Sequence, residues 1–557
     1  MTSTLHGAGV SPGLRSGAVA TMPPPVPEPT RTTLGPGTGA DDAVASITEA
    51  VHAVQADLSA RAARATGTAL EVLTMTAAMA ADPTLLKEAA RKVREERTVP
   101  ARAVWEAADD LARRLESLGG VMAERADDVR DVRERIVAAL TGQQPPGVPD
   151  LEQPFVLVAA DLAPADTATL DPARVLAIVT SGGGPTSHTA ILARSLGIPA
   201  VVAVRGALDL VDGEVVLVDG REGTVERAPS AEAVARAQSR SRVERIFDGR
   251  GRTADGVRVQ LLANVADPAA AATAVAAGAE GVGLFRTEFC FLGRTEEPGV
   301  AEQVTAYRAV LAAFPGRKVV VRTLDAGADK PLPYVTADDE PNPALGVRGL
   351  RTAVRHPEVL GRQLDAIARA SAAEDAEVWV MAPMVATPDE ARDFTAACRE
   401  RGLATSGVMI EVPAAALQSR WVLAQVDFAS IGTNDLTQYT MAADREAADL
   451  AALSTPWQPA ALSLVGSACA GGAEHARPVG VCGEAASDPS LAPVLVGLGV
   501  TSLSMAPRAL GDVAAVLAAT SSELCTELAR IAVASPTAAA ARAAVRARLP
   551  VLEELGL

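Results

Sequence analysis

From about Val257 onward, short apolar runs alternate with helix-patterned stretches eight times: VQLLAN, GVGLF, KVVVRT, VWVMAP, GVMIE, FASIG, PVGVC and TSLSM. This alternation over ~300 residues predicts an α/β chain whose second half closes into a (β/α)8 TIM barrel. In such a barrel chemistry gathers at the C-terminal strand ends. Those positions hold Arg286 after GVGLF, Arg322 at the end of KVVVR and Glu411 at the end of GVMIE. Asn434 and Asp435 follow FASIG, with Arg445 nearby, and Cys482 ends PVGVC. Arginine forks match phosphate and carboxylate oxygens. Two carboxylates, Glu411 and Asp435, suit Mg²⁺ that keeps waters and bridges substrate oxygens. Cys482 suits proton donation to a carbon as an enolate becomes a ketone.

The first half reads differently. Residues 1–21 alternate glycine with small apolar residues, as strands with turns, and MPPPVPEPT (22–30) excludes helix and central strand. From Asp41 to Leu140 the pattern is helical. Val44, Ile47, Val51, Val54 and Leu58 form one stripe, and Val129, Val132, Ile136 and Leu140 another. Pro83 and Pro100 mark starts and Gly119-Gly120 a stop, giving a bundle of about four helices inserted into or following a strand-rich unit. Strand-like runs return over residues 150–227, and Ser230 caps a charged helix running toward Phe247, read as a connector. The resulting boundaries are an α/β unit of residues 1–30 plus 143–228, a helical unit of 31–142, a linker helix of 229–255 and the barrel of 256–557.

One histidine stands apart. His188 lies in SGGGPTSHTAILARSLGIPAVV (181–202), where three glycines after a strand let backbone approach an anion and a following helix offers unpaired N–H groups. Neutral imidazole is a competent nucleophile toward phosphorus, and Ser187, Thr189 and Arg194 are placed to orient it or to hold phosphate oxygens.

That segment closely resembles the phosphohistidine motif of the phosphoenolpyruvate-utilising enzymes: enzyme I of the bacterial sugar phosphotransferase system, pyruvate phosphate dikinase and phosphoenolpyruvate synthase. Pro185 departs from the basic or other residue frequent there, leaving TSHT intact. GVGLFRTEF, VVVRTLDAGADKPLP, NPALGVRGLR, GVMIEVP, FASIGTNDLTQYTMAADR and VGVCGE resemble the phosphoenolpyruvate-binding barrel of the same family. The resemblance implies that His188 carries the phosphoryl group and that Arg286, Arg322 and Arg445 bind substrate phosphate and carboxylate. It further implies that Glu411 and Asp435 hold Mg²⁺, Asn434 meets the phosphate with Asp435 beside it, Cys482 donates the proton, and Arg348 lies near the site. Only 187 residues precede His188, too few for the large ATP-grasp domain of the dikinase and synthase, so the resemblance is to enzyme I. It implies HPr docking on the helical unit, homodimerisation through the barrel and a swivelling phosphohistidine domain.

Composition agrees. A net charge of −17 without any Lys/Arg run excludes a general nucleic-acid binder, and five scattered cysteines suit a reducing compartment. With no signal pattern and no long apolar run, a cytoplasmic protein is expected. Two rivals stand beside the transferase: a variant serving another histidine carrier, and a regulatory protein that binds phosphoenolpyruvate without transfer. Intact His188, Glu411, Asp435 and Cys482 weigh against the second.

Overall fold

A computed structural model describes residues 3–11, 13–23, 26–35, 37–62, 68–118, 120–143, 147–149, 151, 153–162, 170–172, 174–184, 187–241, 245–292, 294–327, 332–336, 340, 342–444, 450 and 452–557. At some helical positions, His188 and Arg194 among them, only the backbone is described. The chain divides into two units, residues 1–243 and 244–557.

In the first unit, β1 (Thr4–His6), β2 (Ala8–Ser11), β3 (Leu14–Thr21), β4 (Phe155–Ala159), β5 (Val175–Thr180), β6 (Ala200–Val202), β7 (Val215–Asp219) and β8 (Thr224–Arg227) form one sheet. Their order is β1-β8-β7-β3-β4-β5-β6-β2. Every residue of β4 is buried, because the sheet is covered on both faces: Phe155, Leu157 and Ala159 enter one core, Val156 and Val158 the other. β3 runs parallel to β4, with Ala18 opposite Phe155, although the helical segment separates them in sequence. The bundle is therefore an insertion into the sheet unit, as expected from the sequence.

Five helices make up that insertion among the described residues: α1 (Ala40–Ala62), α2 (Thr68–Ala80), α3 (Pro83–Glu96), α4 (Pro100–Leu118) and α5 (Gly120–Thr141). Four had been counted. The Gly119-Gly120 break separates two long helices, α4 and α5, as expected, and α2 adds the fifth element. The expected stripe is the core, with Ile47, Val51, Val54 and Leu58 buried against Val93, Val104 and Ile136. Pro83 occupies the first turn of α3, where no N–H is needed, and Asp82 caps it by accepting the N–H groups of Thr84 and Leu85.

The proline-rich stretch is fastened to this bundle. Val26 is buried in its core, and the N–H of Leu34 donates to the carbonyl of Arg97 at 2.7 Å. Arg102, 4% exposed, donates to the Glu28 carboxylate, to the carbonyl of Pro29 at 3.0 Å and to Glu106 at 2.7 Å. Charged hydrogen bonds of this kind contribute about 1.5–3 kcal/mol each. Arg102→Ala should therefore make α4 open about 2 kcal/mol more easily, with amide exchange in α4 roughly 30-fold faster. Unchanged exchange would show that Arg102 does not hold the strap.

Among the described residues two further α-helices belong to this unit. α6 (His188–Leu196) lies between parallel strands β5 and β6. α7 (Ala231–Ser241) is capped by Ser230, whose hydroxyl accepts the N–H of Ala233 at 3.1 Å, and packs on β3 and β7. Its described span is Ala231–Ser241, and residues 245–255 contain no helix, so the linker helix expected over 229–255 is shorter than its sequence range.

The second unit contains β9 (Gln260–Val265), β10 (Val282–Arg286), β11 (Lys318–Arg322), β12 (Glu377–Ala382), β13 (Ser406–Ile410), β14 (Phe428–Ile431), β15 (Val479–Val481) and β16 (Ser502–Met505). All pairings are parallel and β16 closes onto β9, so each expected run became one strand of a closed barrel. The strands read as continuous apolar runs because both faces are buried: in β11, Val319 and Val321 pack outward, whereas Val320 joins Leu284, Met381, Met409, Phe428 and Cys482 in the interior. At the N-terminal end Lys318 donates to Gln260 at 2.6 Å and lies 4.5 Å over the Trp379 ring, with burial pulling its ammonium down to about 8. Among the described residues no helix is long and apolar enough to cross a membrane.

Candidate active site

The first cluster is built on the end of β5. Gly183 adopts φ +80°, a left-handed conformation that side chains resist, and turns the chain toward α6. Pro185 and Thr186 lie outside the described residues. The Ser187 hydroxyl accepts the N–H of Ala190 at 3.3 Å, so it serves the helix start. Thr189 is fully buried and donates to Asp161 at 2.8 Å, tying the first turn of α6 to the end of β4. His188 opens α6 and Arg194 lies six residues, about 1.7 turns, further along. Asp161 was not singled out from the sequence; its only signal was its place just after the FVLVAA strand.

The second cluster rings the C-terminal end of the barrel. Arg286 and Arg322 are the last residues of β10 and β11, and Glu411 and Cys482 directly follow β13 and β15. Asn434 and Asp435 sit in the first turn of the helix Thr433–Met441, which follows β14. Arg348 precedes a short turn in the loop after β11, and Arg445 lies outside the described residues.

A buried ionic chain links Arg322, Arg348 and Asp435 of this group through two further carboxylates. Arg322 donates to Glu288 at 2.8 Å and pairs with Asp325 at 3.1 Å. Asp325 accepts from Arg348 at 3.2 and 3.3 Å, and Arg348 reaches Asp435 at 3.3 Å. Glu411, 1% exposed, accepts the N–H of Met384 at 2.7 Å. Asn434 accepts the N–H of Glu484 at 3.1 Å, placing its side chain between the sixth and seventh strand ends. Glu288 and Asp325 are the two members that sequence reasoning missed. They stand two residues after Arg286 and three after Arg322, inside the quoted RTEF and RTLD segments.

Within this set four carboxylates (Glu288, Asp325, Glu411, Asp435) face two guanidinium groups (Arg322, Arg348), a formal excess of two negative charges. The consequence is visible at Glu411, whose carboxyl is pushed up to about 8 by burial and then by Asp325 and Asp435. Burial opposes the charge of Arg322, but Glu288, Asp325 and Glu411 around it hold the guanidinium above its ordinary value. Cys482, 2% exposed, is pushed up to about 11, chiefly by burial, and remains a neutral thiol at physiological pH.

The residues fit a divalent cation. Glu411 and Asp435 are two buried carboxylates close enough to act on each other's charge, a donor set of the kind that Mg²⁺ completes with waters and substrate oxygens. Gly432 supports this fit, because a Cβ there would lie 2.8 Å from Glu411 Oε2 and crowd that oxygen. The excess negative charge is what a divalent cation would balance.

Three family models match the chain: the PEP-utilising enzyme N-terminal domain over residues 6–125, the mobile domain over 151–223 and the PEP-binding domain over 240–522. The chain is 50% identical over 555 residues, 99% of its length and 100% of the relative's, to a phosphoenolpyruvate-protein phosphotransferase of Streptomyces coelicolor. A protein of the same description from Staphylococcus carnosus is 39% identical over 451 residues, 77% of this chain and 78% of that one. A solution structure of an enzyme I protein (nEIt) is 32% identical, covering 42% of this chain and 97% of that one, with a TM-score of 0.39.

Proposed function

This chain belongs to the PEP-utilising enzyme family, and on that premise we propose that it is a phosphoenolpyruvate-protein phosphotransferase that phosphorylates itself on His188 and passes the group to the carrier protein HPr. The observation that carries this reading is the barrel rim, where the buried ionic chain Glu288–Arg322–Asp325–Arg348–Asp435 shares the C-terminal strand ends with the buried Glu411 carboxyl and the neutral Cys482 thiol.

Arg286, Arg322 and Arg445 bind the phosphate and carboxylate of phosphoenolpyruvate, Asn434 meets the phosphate, and Arg348 holds Asp435 in place. Glu411 and Asp435 would hold Mg²⁺, which would supply neutralisation of negative charge on the substrate. An imidazole nitrogen of His188 attacks phosphorus as the bond to the enol oxygen breaks, and the electron pair leaves with pyruvate enolate. The Cys482 thiol gives its proton to the methylene carbon, releasing pyruvate, and Arg322 and Arg286 favour the thiolate that remains. In the reverse direction the same thiolate recovers the proton.

For this relay His188 must reach the barrel rim and then the carrier, so residues 229–255 are proposed as the joint and 31–142 as the HPr-docking unit. Homodimerisation through the barrel is supported by Leu417 and Trp421, four residues apart and 69% and 57% exposed. Cytoplasmic residence follows from the carrier it serves.

The metal assignment has its own test. Glu411→Gln and Asp435→Asn should each raise the Mg²⁺ needed for half-maximal pyruvate release at least ~10-fold, since even weaker perturbations of metal sites cost that much. An unaltered Mg²⁺ dependence in both variants would contradict it.

A further inference from the structure

Glu288 has no part in the steps above, yet it ends the buried ionic chain at the rim, paired with Arg322. It lies in the turn Thr287–Cys290 that follows β10 and is 8% exposed. One of its oxygens, Oε1, accepts both the Arg322 Nη2–H at 2.8 Å and the backbone N–H of Asp325 at 3.0 Å. Its other oxygen is buried and has no hydrogen-bond partner among the described residues. A buried acceptor left unfilled is a cost to the fold, so stability does not account for a carboxylate at this position.

The surroundings separate what Glu288 does from what holds the loop. Thr287 donates to the carbonyl of Arg322 at 2.9 Å. Gln363 donates to Thr287 at 3.1 Å and accepts the N–H of Leu324 at 2.9 Å. The backbone at 322–324 is thus pinned without Glu288. Beyond its bond to the Asp325 N–H, what Glu288 adds is the orientation of the guanidinium: Glu288 takes Nη2, Asp325 takes Nη1 at 3.1 Å, and the buried Nε has no partner among the described residues. Two carboxylates from neighbouring strand ends therefore fix the plane of Arg322. Without Glu288 the guanidinium would be drawn toward its remaining anionic neighbours, Asp325 and Glu411.

We propose that Glu288 is a positioning residue for phosphoryl transfer, holding the Arg322 guanidinium in the plane that meets the oxygens of the transferring group. It acts through Arg322 and does not touch substrate. The proposal rests on the reading that Arg322 binds phosphoenolpyruvate.

The test is single-turnover self-phosphorylation of the full chain with ³²P-labelled phosphoenolpyruvate and Mg²⁺, comparing wild type, Glu288→Ala and Glu288→Gln, with thermal midpoints measured in parallel. Glu288→Ala should slow the saturating rate roughly 100-fold, the usual effect of a reacting group misplaced by about 1 Å, while half-saturating phosphoenolpyruvate moves less. Glu288→Gln, whose amide oxygen still accepts both hydrogen bonds, should recover about 10-fold of that loss with its thermal midpoint kept. An unchanged saturating rate in Glu288→Ala overturns the proposal. So does a loss in both variants that tracks a matching fall in thermal midpoint, which would make Glu288 structural. Wild type that takes no label would remove the reading of the whole site, whereas labelled wild type with unaffected variants removes only the role of Glu288.

Discussion

His188→Ala is expected to take up no acid-labile phosphate from phosphoenolpyruvate, a loss of at least ~10⁴-fold, because no second nucleophile can replace the imidazole that bonds phosphorus. Phosphoenolpyruvate binding should survive almost unchanged. The residues proposed to bind it, Arg286, Arg322, Asn434 and Arg445, all belong to the second unit, whereas His188 opens α6 in the first. Calorimetry of the variant with phosphoenolpyruvate and Mg²⁺ checks the binding half of this expectation. Label remaining on the variant would mean that another residue accepts the phosphoryl group. Loss of binding together with label would make His188 a structural residue.

Cys482→Ala should lower pyruvate formation by roughly 10²–10⁴-fold, the range that a positioned acid contributes, while leaving the Mg²⁺ requirement as in wild type. The thiol lies in the barrel interior against Leu284, Val320, Met381 and Met409, and its Sγ is 3.5 Å from the carbonyl of Ile431. Burial pushes it up to about 11, so the proton to be donated is retained through neutral pH. The sign is definite: an acid whose value is raised stays protonated longer as pH rises. Wild-type pyruvate formation should therefore show no loss assignable to this thiol between pH 7 and roughly pH 10. A Cys482→Ala enzyme that releases pyruvate at the wild-type rate would remove the proton-donor role. A falling limb near pH 8 that vanishes in the variant would show instead that the thiol ionises earlier than its surroundings dictate.

The barrel was legible because its signal is local. A parallel strand buried on both faces must be an apolar run, and eight such runs became β9–β16 with Arg286, Arg322, Glu411 and Cys482 at or just beyond strand ends. The α1 stripe was legible for the same reason, since a 3.6-residue period shows within one helix. What escaped depends on contacts between distant segments. Glu288 and Asp325 read as ordinary loop carboxylates until β10 and β11 lie side by side with Arg286 opposite Arg322. The proline-rich stretch carried no argument alone, because its partner Arg102 is 74 residues from Glu28. That the helices interrupt the sheet was expected from strand-like runs on both sides of them, but the pairing of β3 with β4 across them is a long-range contact that only the structure shows. Arg445, legible as a rim residue, lies outside the described residues and stays a proposal on sequence grounds.

The relay itself is tested most directly by following one phosphoryl group. The full-length chain is charged with ³²P-labelled phosphoenolpyruvate and Mg²⁺, freed of substrate, mapped by peptide analysis under alkaline conditions, and divided between excess pyruvate and purified HPr. The account requires acid-labile label on the peptide containing His188, returned as phosphoenolpyruvate by pyruvate and transferred to HPr by the carrier. Label on any other peptide, or label on His188 that neither pyruvate nor HPr discharges, would contradict it.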